Sequence, residues 1–174
     1  MTESSAAVDA TDERVPVPAI PRRIVSLVPS VTETLFALGL GDRVVGVTDW
    51  CIHPAEALAS LPRVGGTKNP RIEDVVALGP DLVLANREEN REVDVRRLRA
   101  RGLTVWVDYP RTVADALAQI EWLAALGADS ARRQAVVKPI RDALSRAASH
   151  EGPRRSVLVP IWRKPWMGLG PDTY

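Results

Sequence analysis

Short, uninterrupted apolar runs recur along the chain and alternate with segments in which apolar residues repeat at helical spacing. The runs are residues 24–28, 44–47, 82–85, 104–107 and 156–159. Apolar runs of this length, bounded by turn residues, are typical of strands buried in a parallel sheet whose faces are covered by helices. The pattern therefore predicts an α/β fold with a mainly parallel sheet.

The helical segments between these runs each end close to a glycine, a common helix stop signal. They are residues 32–38, 72–78, 93–101, 112–126 and 130 to about 150. One face of the fourth segment carries a row of apolar residues and is expected to pack in the core. The residues of that row are Val113, Leu117, Ile120 and Ala124.

The last of these segments follows Asp129, which can cap it, and carries Pro139 in its interior. Proline lacks the N–H that a helix needs and collides with the preceding turn. We therefore expect a kink or a break near residues 136–138. The apolar residues available for packing on this segment are Val136, Val137, Ile140 and Leu144.

The first strand is joined to the first helix by a turn that contains Pro29 and Ser30. Ser30 followed by Glu33 matches a capping box, in which each side chain satisfies a backbone N–H at the helix start. The remaining free N–H groups and the positive end of the helix dipole favour anionic or polar ligand groups. We therefore predict ligand contact at this turn. The alternative is an ordinary α/β unit that binds nothing there.

Length and charge narrow the functional classes. The chain has 174 residues, of which 45% are hydrophobic, enough for one core and one domain or slightly more. Its 23 basic and 22 acidic residues nearly balance, and no basic block is interleaved with aromatic residues. Nucleic acid is therefore not an expected partner. The single cysteine, Cys51, excludes an internal disulfide and a cysteine-based zinc cluster, and we expect it to be a packing residue.

Residues 1 to about 20 are polar and acidic and end in the segment Val15-Pro16-Val17-Pro18. We predict that they form a disordered leader. They have neither the basic start nor the apolar centre of a signal peptide, so the chain as written is expected to be cytoplasmic. No stretch approaches the roughly 18 apolar residues of a membrane span.

Sequence motifs for catalysis are missing. The segment from Gly39 to Gly46 resembles a dinucleotide loop only superficially, because its spacing is wrong and it follows a helix. The chain has no Gly-x-Ser-x-Gly elbow, no phosphate-binding loop and no distinctive acid/base pair. His53 has no second histidine nearby, since His150 lies on a distant helix, and protein metal sites need several ligands. We predict neither an enzyme nor a protein-held metal.

Five motifs nevertheless occur in an ordered series. They are RIVSLVPSVTE at 23–33, VVGVTDW at 44–50, LPRVGG at 61–66, IEDVVALGPDLVLA at 72–85 and LTVWVD at 103–108. In this order and spacing they resemble the substrate-binding proteins of ABC importers for cobalamin, ferric siderophores and haem. The resemblance covers about residues 21–174. It implies a periplasmic-binding-like, helical-backbone metal receptor in which one long helix joins two α/β lobes.

The resemblance implies a domain organisation. The disordered leader, residues 1–20, precedes an N-terminal α/β lobe with a Rossmann-like sheet at 21–127 and a bridging helix at 128–151. Residues 152–174 are expected to start an incomplete C-terminal lobe, because the chain ends at Tyr174 just as the second lobe opens. A cleft with one complete wall buries less of a ligand, so we expect weakened ligand affinity.

The resemblance also assigns ligand-binding residues to the loops that follow the strands. They are Pro29, Ser30, Asp49, Trp50, Thr67, Lys68, Asn86 and Arg87, with Trp162 in the tail. Trp50 matches an aromatic that lies against the corrin, and Lys68 and Arg87 could pair with carboxylates or phosphate on a ligand. Loop packing of Trp50 and solvated surface charge remain the alternatives. No intrinsic cofactor is implied, and any metal would arrive inside a cobalamin, haem or ferric siderophore.

Glu73 matches a glutamate with which the family's first lobe docks onto an ABC permease. Alternatively, Glu73 is only a favourable carboxylate in the first turn of a helix. The implied partners are a small-molecule ligand and, if the chain is exported, a permease. The apolar tail at residues 161–169 could drive self-association. A cytosolic ligand-sensing or interaction module, or an inactive gene fragment, remains the alternative function.

Overall fold

A computed structural model of the chain describes residues 4–149, 152, 153 and 155–168. Its strands are β1 (Ser4–Val8), β2 (Arg14–Pro18), β3 (Ile24–Ser26), β4 (Val44–Val47), β5 (Gly65–Gly66), β6 (Asn69–Pro70), β7 (Leu82–Asn86), β8 (Val105–Asp108), β9 (Pro160–Arg163) and β10 (Trp166–Gly168). Its helices are α1 (Pro29–Ala37), α2 (Ala55–Leu58), α3 (Ile72–Ala77), α4 (Glu92–Ala100), α5 (Val113–Ala125) and α6 (Ser130–Ala148). Gly41–Arg43 forms one 3₁₀ turn.

The central sheet has four strands in the order β4-β3-β7-β8, and all three pairings are parallel. Every residue of β3 and β7 is buried, as expected for strands covered on both faces. The predicted α/β class with a mainly parallel sheet is confirmed. Four of the five apolar runs identified in the sequence form this sheet.

Side chains that alternate along the strands fill two separate cores. On one face Ile24, Leu82 and Leu84 pack with residues of α1 and α5. The rings of Trp106 and Trp122 stack in this core with centroids 4.6 Å apart. On the other face Val25, Val83 and Val105 pack with residues of α3 and α4. The parallel sheet is thereby enclosed on both sides.

The predicted apolar row of α5 is only partly correct. Ala124 is buried, but Val113 is 62% exposed, and the other buried residue of the helix is Leu123. The burial is concentrated at the carboxyl end of the helix, which leaves its first turn in solvent. Thr112 and Asp115 form a capping box there, in which the Thr112 hydroxyl accepts from the Asp115 N–H at 3.1 Å.

The predicted disordered leader is wrong over the described residues 4–18, because β1 and β2 form an antiparallel hairpin. Residues 1–3 lie outside the described part of the chain. Val15 and Val17 alternate inward and are buried, with 4% and 6% exposed. The composition suggested a solvated segment. In the strand, however, the two buried valines alternate with the outward-facing Pro16, so one side of the hairpin packs against the protein.

Asp9, in the loop of this hairpin, fixes it to the main sheet. Its carboxylate accepts hydrogen bonds from the Val107 N–H at 3.0 Å and from Arg99 Nη2 at 2.6 Å. The Ala10 N–H donates to the Val107 carbonyl at 2.9 Å. The outer edge of β8 is therefore covered by residues 9 and 10. At the other edge, the Val47 N–H donates to the Pro62 carbonyl and the Val64 N–H to the Val47 carbonyl.

The long helix α6 runs without interruption from Ser130 to Ala148, so the predicted break at Pro139 does not occur. Asp129 caps it as expected, accepting from the Arg132 N–H at 2.8 Å. Pro139 and Ala135, whose carbonyl the missing N–H would have bonded, are both exposed, so water can satisfy that carbonyl. Of the predicted packing residues only Val137 is fully buried.

The strand predicted at residues 156–159 does not form. The chain instead makes the antiparallel hairpin β9–β10, and every described residue from 155 to 168 is exposed. A strand forms only where its backbone groups hydrogen-bond to a neighbouring strand. Among the described residues from 155 to 168, such pairing occurs only within the hairpin at 160–168. The predicted tail residue Leu169, the chain end Tyr174 and His150 lie outside the described residues.

Candidate ligand-binding edge

The carboxyl ends of the four parallel strands meet at one edge of the sheet, where ligands bind in open α/β folds. The connecting segments there are residues 27–30 after β3, which include the start of α1, and the loops 48–51 after β4, 87–91 after β7 and 109–112 after β8. The small β5–β6 hairpin, Gly65–Pro70, joins them from the side. The structure thereby brings the predicted first-lobe residues to one edge.

Pro29 and Ser30 occupy the first two positions of α1. The predicted capping box is wrong, because Val28 is the N-cap residue and Ser30 lies inside the helix rather than before it. Proline favours the first helical position, so the helix begins two residues earlier than the predicted cap implies. Thr32 makes the local bonds instead, donating to the Val28 carbonyl at 3.0 Å and lying 2.8 Å from the Ser26 hydroxyl.

Trp50 projects from the loop after β4 and is 66% exposed, whereas Cys51 beside it is fully buried, as expected for a packing residue. The Asp49 N–H donates to the Gly65 carbonyl at 2.9 Å, which attaches this loop to the β5–β6 hairpin. The indole Nε1 of Trp50 lies beside Gly66, where an added Cβ would come within 3.5 Å of it. The indole is therefore an open aromatic surface laid along the hairpin.

Asn90 is the buried centre of the edge, although its place in the sequence gave no sign of this. Its Nδ2 donates to the Thr67 carbonyl at 2.9 Å and its Oδ1 accepts from the Asn86 N–H at 2.8 Å. The predicted residues Thr67 and Asn86 are thus joined through it. Lys68 Nζ donates to the Glu88 carbonyl, so it bridges the β5–β6 hairpin and the loop after β7.

Asn86 is 1% exposed and acts within the loop rather than at its surface. Its Oδ1 accepts from the Glu88 N–H at 2.7 Å and from the Glu89 N–H at 3.1 Å. Such an Asx turn shapes the chain that follows it. Within the described residues its Nδ2 has no hydrogen-bond partner.

Arg87 and Tyr109 form the outer part of the edge. The Arg87 guanidinium lies 5.5 Å from the centre of the Tyr109 ring, a cation–π geometry. The Tyr109 hydroxyl donates to Glu88 Oε1 at 3.1 Å. A cavity of about 290 Å³ is lined by Arg87 and Asn90 together with residues 10–12 of the N-terminal hairpin loop. Sequence reasoning missed Tyr109, although its position directly after a strand was the available signal.

Two carboxyl groups near this edge titrate abnormally. Burial raises the pKa of Asp108, at the end of β8, although the Tyr109 N–H donates to its Oδ1 at 2.7 Å. Hydrogen bonds from the Arg111 and Thr112 N–H groups and from the Thr112 side chain lower the pKa of Asp115. Folding therefore strengthens proton binding at Asp108 and weakens it at Asp115.

Trp162 lies in β9, away from the loops of the parallel sheet in sequence, and is 62% exposed. Its Nε1 donates to the Lys164 carbonyl at 3.1 Å within the same hairpin. The other eight predicted residues lie at one sheet edge, in its loops or at the adjoining ends of α1 and β7, and no described hydrogen bond joins Trp162 to them. Its predicted ligand contact stays a prediction.

Glu73 lies exposed in the first turn of α3 and is already paired. Arg101, after the end of α4, donates from Nη1 to its Oε2 at 2.7 Å and from Nη2 to its Oε1. The Glu73 carboxylate raises the pKa of Arg101. Arg71, the N-cap of α3, pairs with Asp74 through one hydrogen bond, from Nε to Oδ2 at 2.5 Å.

No group of three or more potential metal-ligating side chains occurs among residues 4–149, 152, 153 and 155–168. In the same part of the chain, no helix is both long and apolar enough to cross a lipid bilayer.

A family model described as "Periplasmic binding protein" matches residues 24–158. The chain is 35% identical over 139 residues to YvrC of Bacillus subtilis (strain 168), an uncharacterized ABC transporter substrate-binding lipoprotein, covering 78% of this chain and 44% of that protein. It is 36% identical over 108 residues to the vitamin B12-binding protein of Vibrio cholerae serotype O1, covering 62% and 38%. The chain therefore spans less than half the length of these relatives.

Solved structures show the same likeness. The periplasmic vitamin B12 binding protein BtuF of Vibrio cholerae superposes with a TM-score of 0.72 at 30% identity, covering 86% of this chain and 59% of that one. A periplasmic heme binding protein from Pseudomonas aeruginosa superposes with a TM-score of 0.67 at 28% identity, covering 81% and 53%.

Proposed function

Because the chain belongs to the periplasmic binding protein family, we propose that it binds a small ligand for import by an ABC transporter. The family consists of binding proteins, so the chain is not an enzyme. The parallel sheet supplies the first-lobe wall of a binding cleft, at the edge where its strand ends meet. The matching stretches cover only 44% and 38% of the relatives that support this proposal.

The ligand we propose is a corrinoid, a haem or an iron chelate, which would carry its own metal. Named relatives bind vitamin B12, and a structural neighbour binds heme. The observation that carries the proposal is the open indole of Trp50, a surface onto which a large planar ligand can stack. Lys68 and Arg87, both exposed, add positive charge at the same edge for carboxylates on the ligand.

Calorimetric titration with cyanocobalamin, haemin and a ferric siderophore tests this proposal. We expect the chain to bind one of them, and Trp50→Ala to weaken binding about tenfold, equivalent to ~1.4 kcal/mol. Val113→Ala is the matched control, because Val113 is exposed to a similar degree on α5 and should leave binding unchanged. Equal binding by the wild-type chain and Trp50→Ala would contradict the proposal, and binding of none of the three would favour an interaction module.

Delivery to a permease through Glu73 is the second part of the proposal. Glu73 is exposed, and its carboxylate faces an arginine, Arg101, the kind of partner that a docking carboxylate would meet on a transporter.

Cytoplasmic location and self-association through residues 161–169 stay predictions. Cell fractionation would check the location, and analytical ultracentrifugation would check the self-association.

A further inference from the structure

The loop that presents Trp50 is a tight turn with buried ends and exposed corners. The Cys51 N–H donates to the Thr48 carbonyl at 3.2 Å, which closes residues 48–51 as a β-turn. Thr48 and Cys51 are fully buried, and their side chains approach to 3.2 Å. Asp49 and Trp50 occupy the two exposed corner positions. Whatever holds the ends of this turn therefore sets the direction of the indole.

Arg63 holds both ends of the turn with one nitrogen. Its Nη1 donates to the Thr48 carbonyl at 2.9 Å and to the Cys51 carbonyl at 2.7 Å. Its Nη2 lies 3.4 Å from the Leu58 carbonyl, at the end of α2. The half-buried Arg63 thus gives the Cys51 carbonyl a partner and the Thr48 carbonyl a second one.

Arg63 is itself fixed by its backbone. It forms a parallel bridge with Val47 at the edge of the sheet. Arg71 Nη2 donates to the Arg63 carbonyl at 2.5 Å. Because both the strand edge and α3 anchor its main chain, the side chain of Arg63 reaches the turn from a rigid base.

We propose that Arg63 is a positioning residue that orients Trp50 for ligand recognition. Arg63 has no need to touch the ligand, because it acts through the carbonyls on either side of Asp49 and Trp50. The proposal rests on the proposed function, in which Trp50 is the surface that meets the ligand. Without Arg63 the turn is held by fewer bonds, and the indole samples several orientations.

Fluorine NMR of protein labelled with 5-fluorotryptophan tests this without any ligand. Trp50→Phe assigns the Trp50 resonance among those of the five tryptophans. We expect Arg63→Gln to shift and broaden that resonance while the resonances of the stacked Trp106 and Trp122 stay unchanged. Arg63→Lys, which keeps a donor, should restore it in part. If Arg63→Gln does not fold, the Arg63→Lys spectrum decides alone. A displaced Trp50 resonance then supports the proposal, and an unmoved one contradicts it.

Arg43 provides the matched control. Its Nη1 donates to the Leu126 carbonyl at 2.7 Å, so it also holds a loop by its backbone, but at the amino end of β4. Arg43→Gln should leave the Trp50 resonance unchanged. An unmoved Trp50 resonance in Arg63→Gln, or an equal displacement in Arg43→Gln, would overturn the proposal.

Calorimetry with cyanocobalamin and haemin then gives the functional consequence. Arg63→Gln should weaken binding about fivefold in the wild-type background and have no effect in Trp50→Ala, since Arg63 acts through Trp50. An equal loss in both backgrounds would overturn the positioning role. If cyanocobalamin, haemin and the ferric siderophore all fail to bind the wild-type chain, the proposed function fails, whereas the fluorine spectra still decide whether Arg63 orients Trp50.

Discussion

Arg101 and Glu73 face each other across the ends of α4 and α3 and share two hydrogen bonds. If Glu73 docks onto a permease, Arg101 competes with the permease for the same carboxylate. The arrangement therefore allows the strength of docking to be changed without altering Glu73.

We predict that Arg101→Gln strengthens docking several-fold, because it frees the Glu73 carboxylate. The exposed pair contributes little to folding, so the urea midpoint should hardly change. Flotation with proteoliposomes that contain the partner permease measures the docking. Arg96→Gln removes an exposed ion pair with Glu92 on the same helix and should have no effect. Weaker docking by Arg101→Gln would show that the pair itself is recognised.

The contact between Asp9 and Arg99 predicts a large stability effect at the start of the chain. The side chain of Asp9 is fully buried, and removal of one partner from such a pair typically costs about 3 kcal/mol. Asp9→Asn should lower the urea midpoint clearly and speed hydrogen exchange at the Val107 amide. Asp12→Asn, which neutralises an exposed carboxylate in the same loop, should change neither. Equal behaviour of the two variants would mean that the hairpin is not anchored at Asp9.

The capping box at the start of α5 gives a third prediction. Thr112→Ala removes the hydroxyl that accepts from the Asp115 N–H, and loss of such a cap costs about 1 kcal/mol. Thr112→Ser keeps the hydroxyl and should retain most of the stability. Urea unfolding compares the three proteins. If the serine variant loses as much as the alanine variant, the threonine methyl rather than the cap is what matters.

Asp108 and Asp115 predict opposite dependences of stability on pH. The pKa of Asp108 is raised, so the folded state holds its proton more tightly, and this contribution is full at low pH and lost as pH rises through the folded-state pKa. The pKa of Asp115 is lowered, so its contribution is present above the ordinary aspartate pKa of about 3.9 and lost as pH falls through the folded-state value.

Urea unfolding at several pH values between about 2.5 and 6.5 measures both effects. The stability of wild type minus that of Asp108→Asn should fall as pH rises. The same difference for Asp115→Asn should increase as pH rises. Parallel trends for the two variants would contradict one of the assignments.

The sequence predicted the parallel sheet well because each strand is an apolar run whose burial is decided locally. It failed where a residue's role depends on a distant partner. Asp9 in a polar segment gave no sign of Arg99, which lies 90 positions further along the chain. The wrong capping box at Ser30 has a local cause instead. Pro29 occupies the first helical position, so Ser30 lies inside the helix rather than before it.

In the candidate site too, features decided locally could be predicted and features that depend on distant partners could not. Loops after parallel strands must meet at one edge, so the positions of Trp50 and Arg87 could be predicted. Asn90 and Arg63 could not, because each acts through hydrogen bonds to backbone groups of other loops. A sequence pattern identifies which side chains carry charge or aromatic surface, but it does not show which ones hold the loops in place.

The covered outer edges of β8 and β4 have a consequence for handling the protein. An uncovered strand edge can recruit a strand from another molecule and start aggregation. Here residues 9 and 10 occupy one edge and residues 62–64 the other. The sheet itself offers no ready template for intermolecular strand addition at these positions, so aggregation of concentrated samples should begin at the exposed β9–β10 hairpin, and deletion of that hairpin should improve solubility.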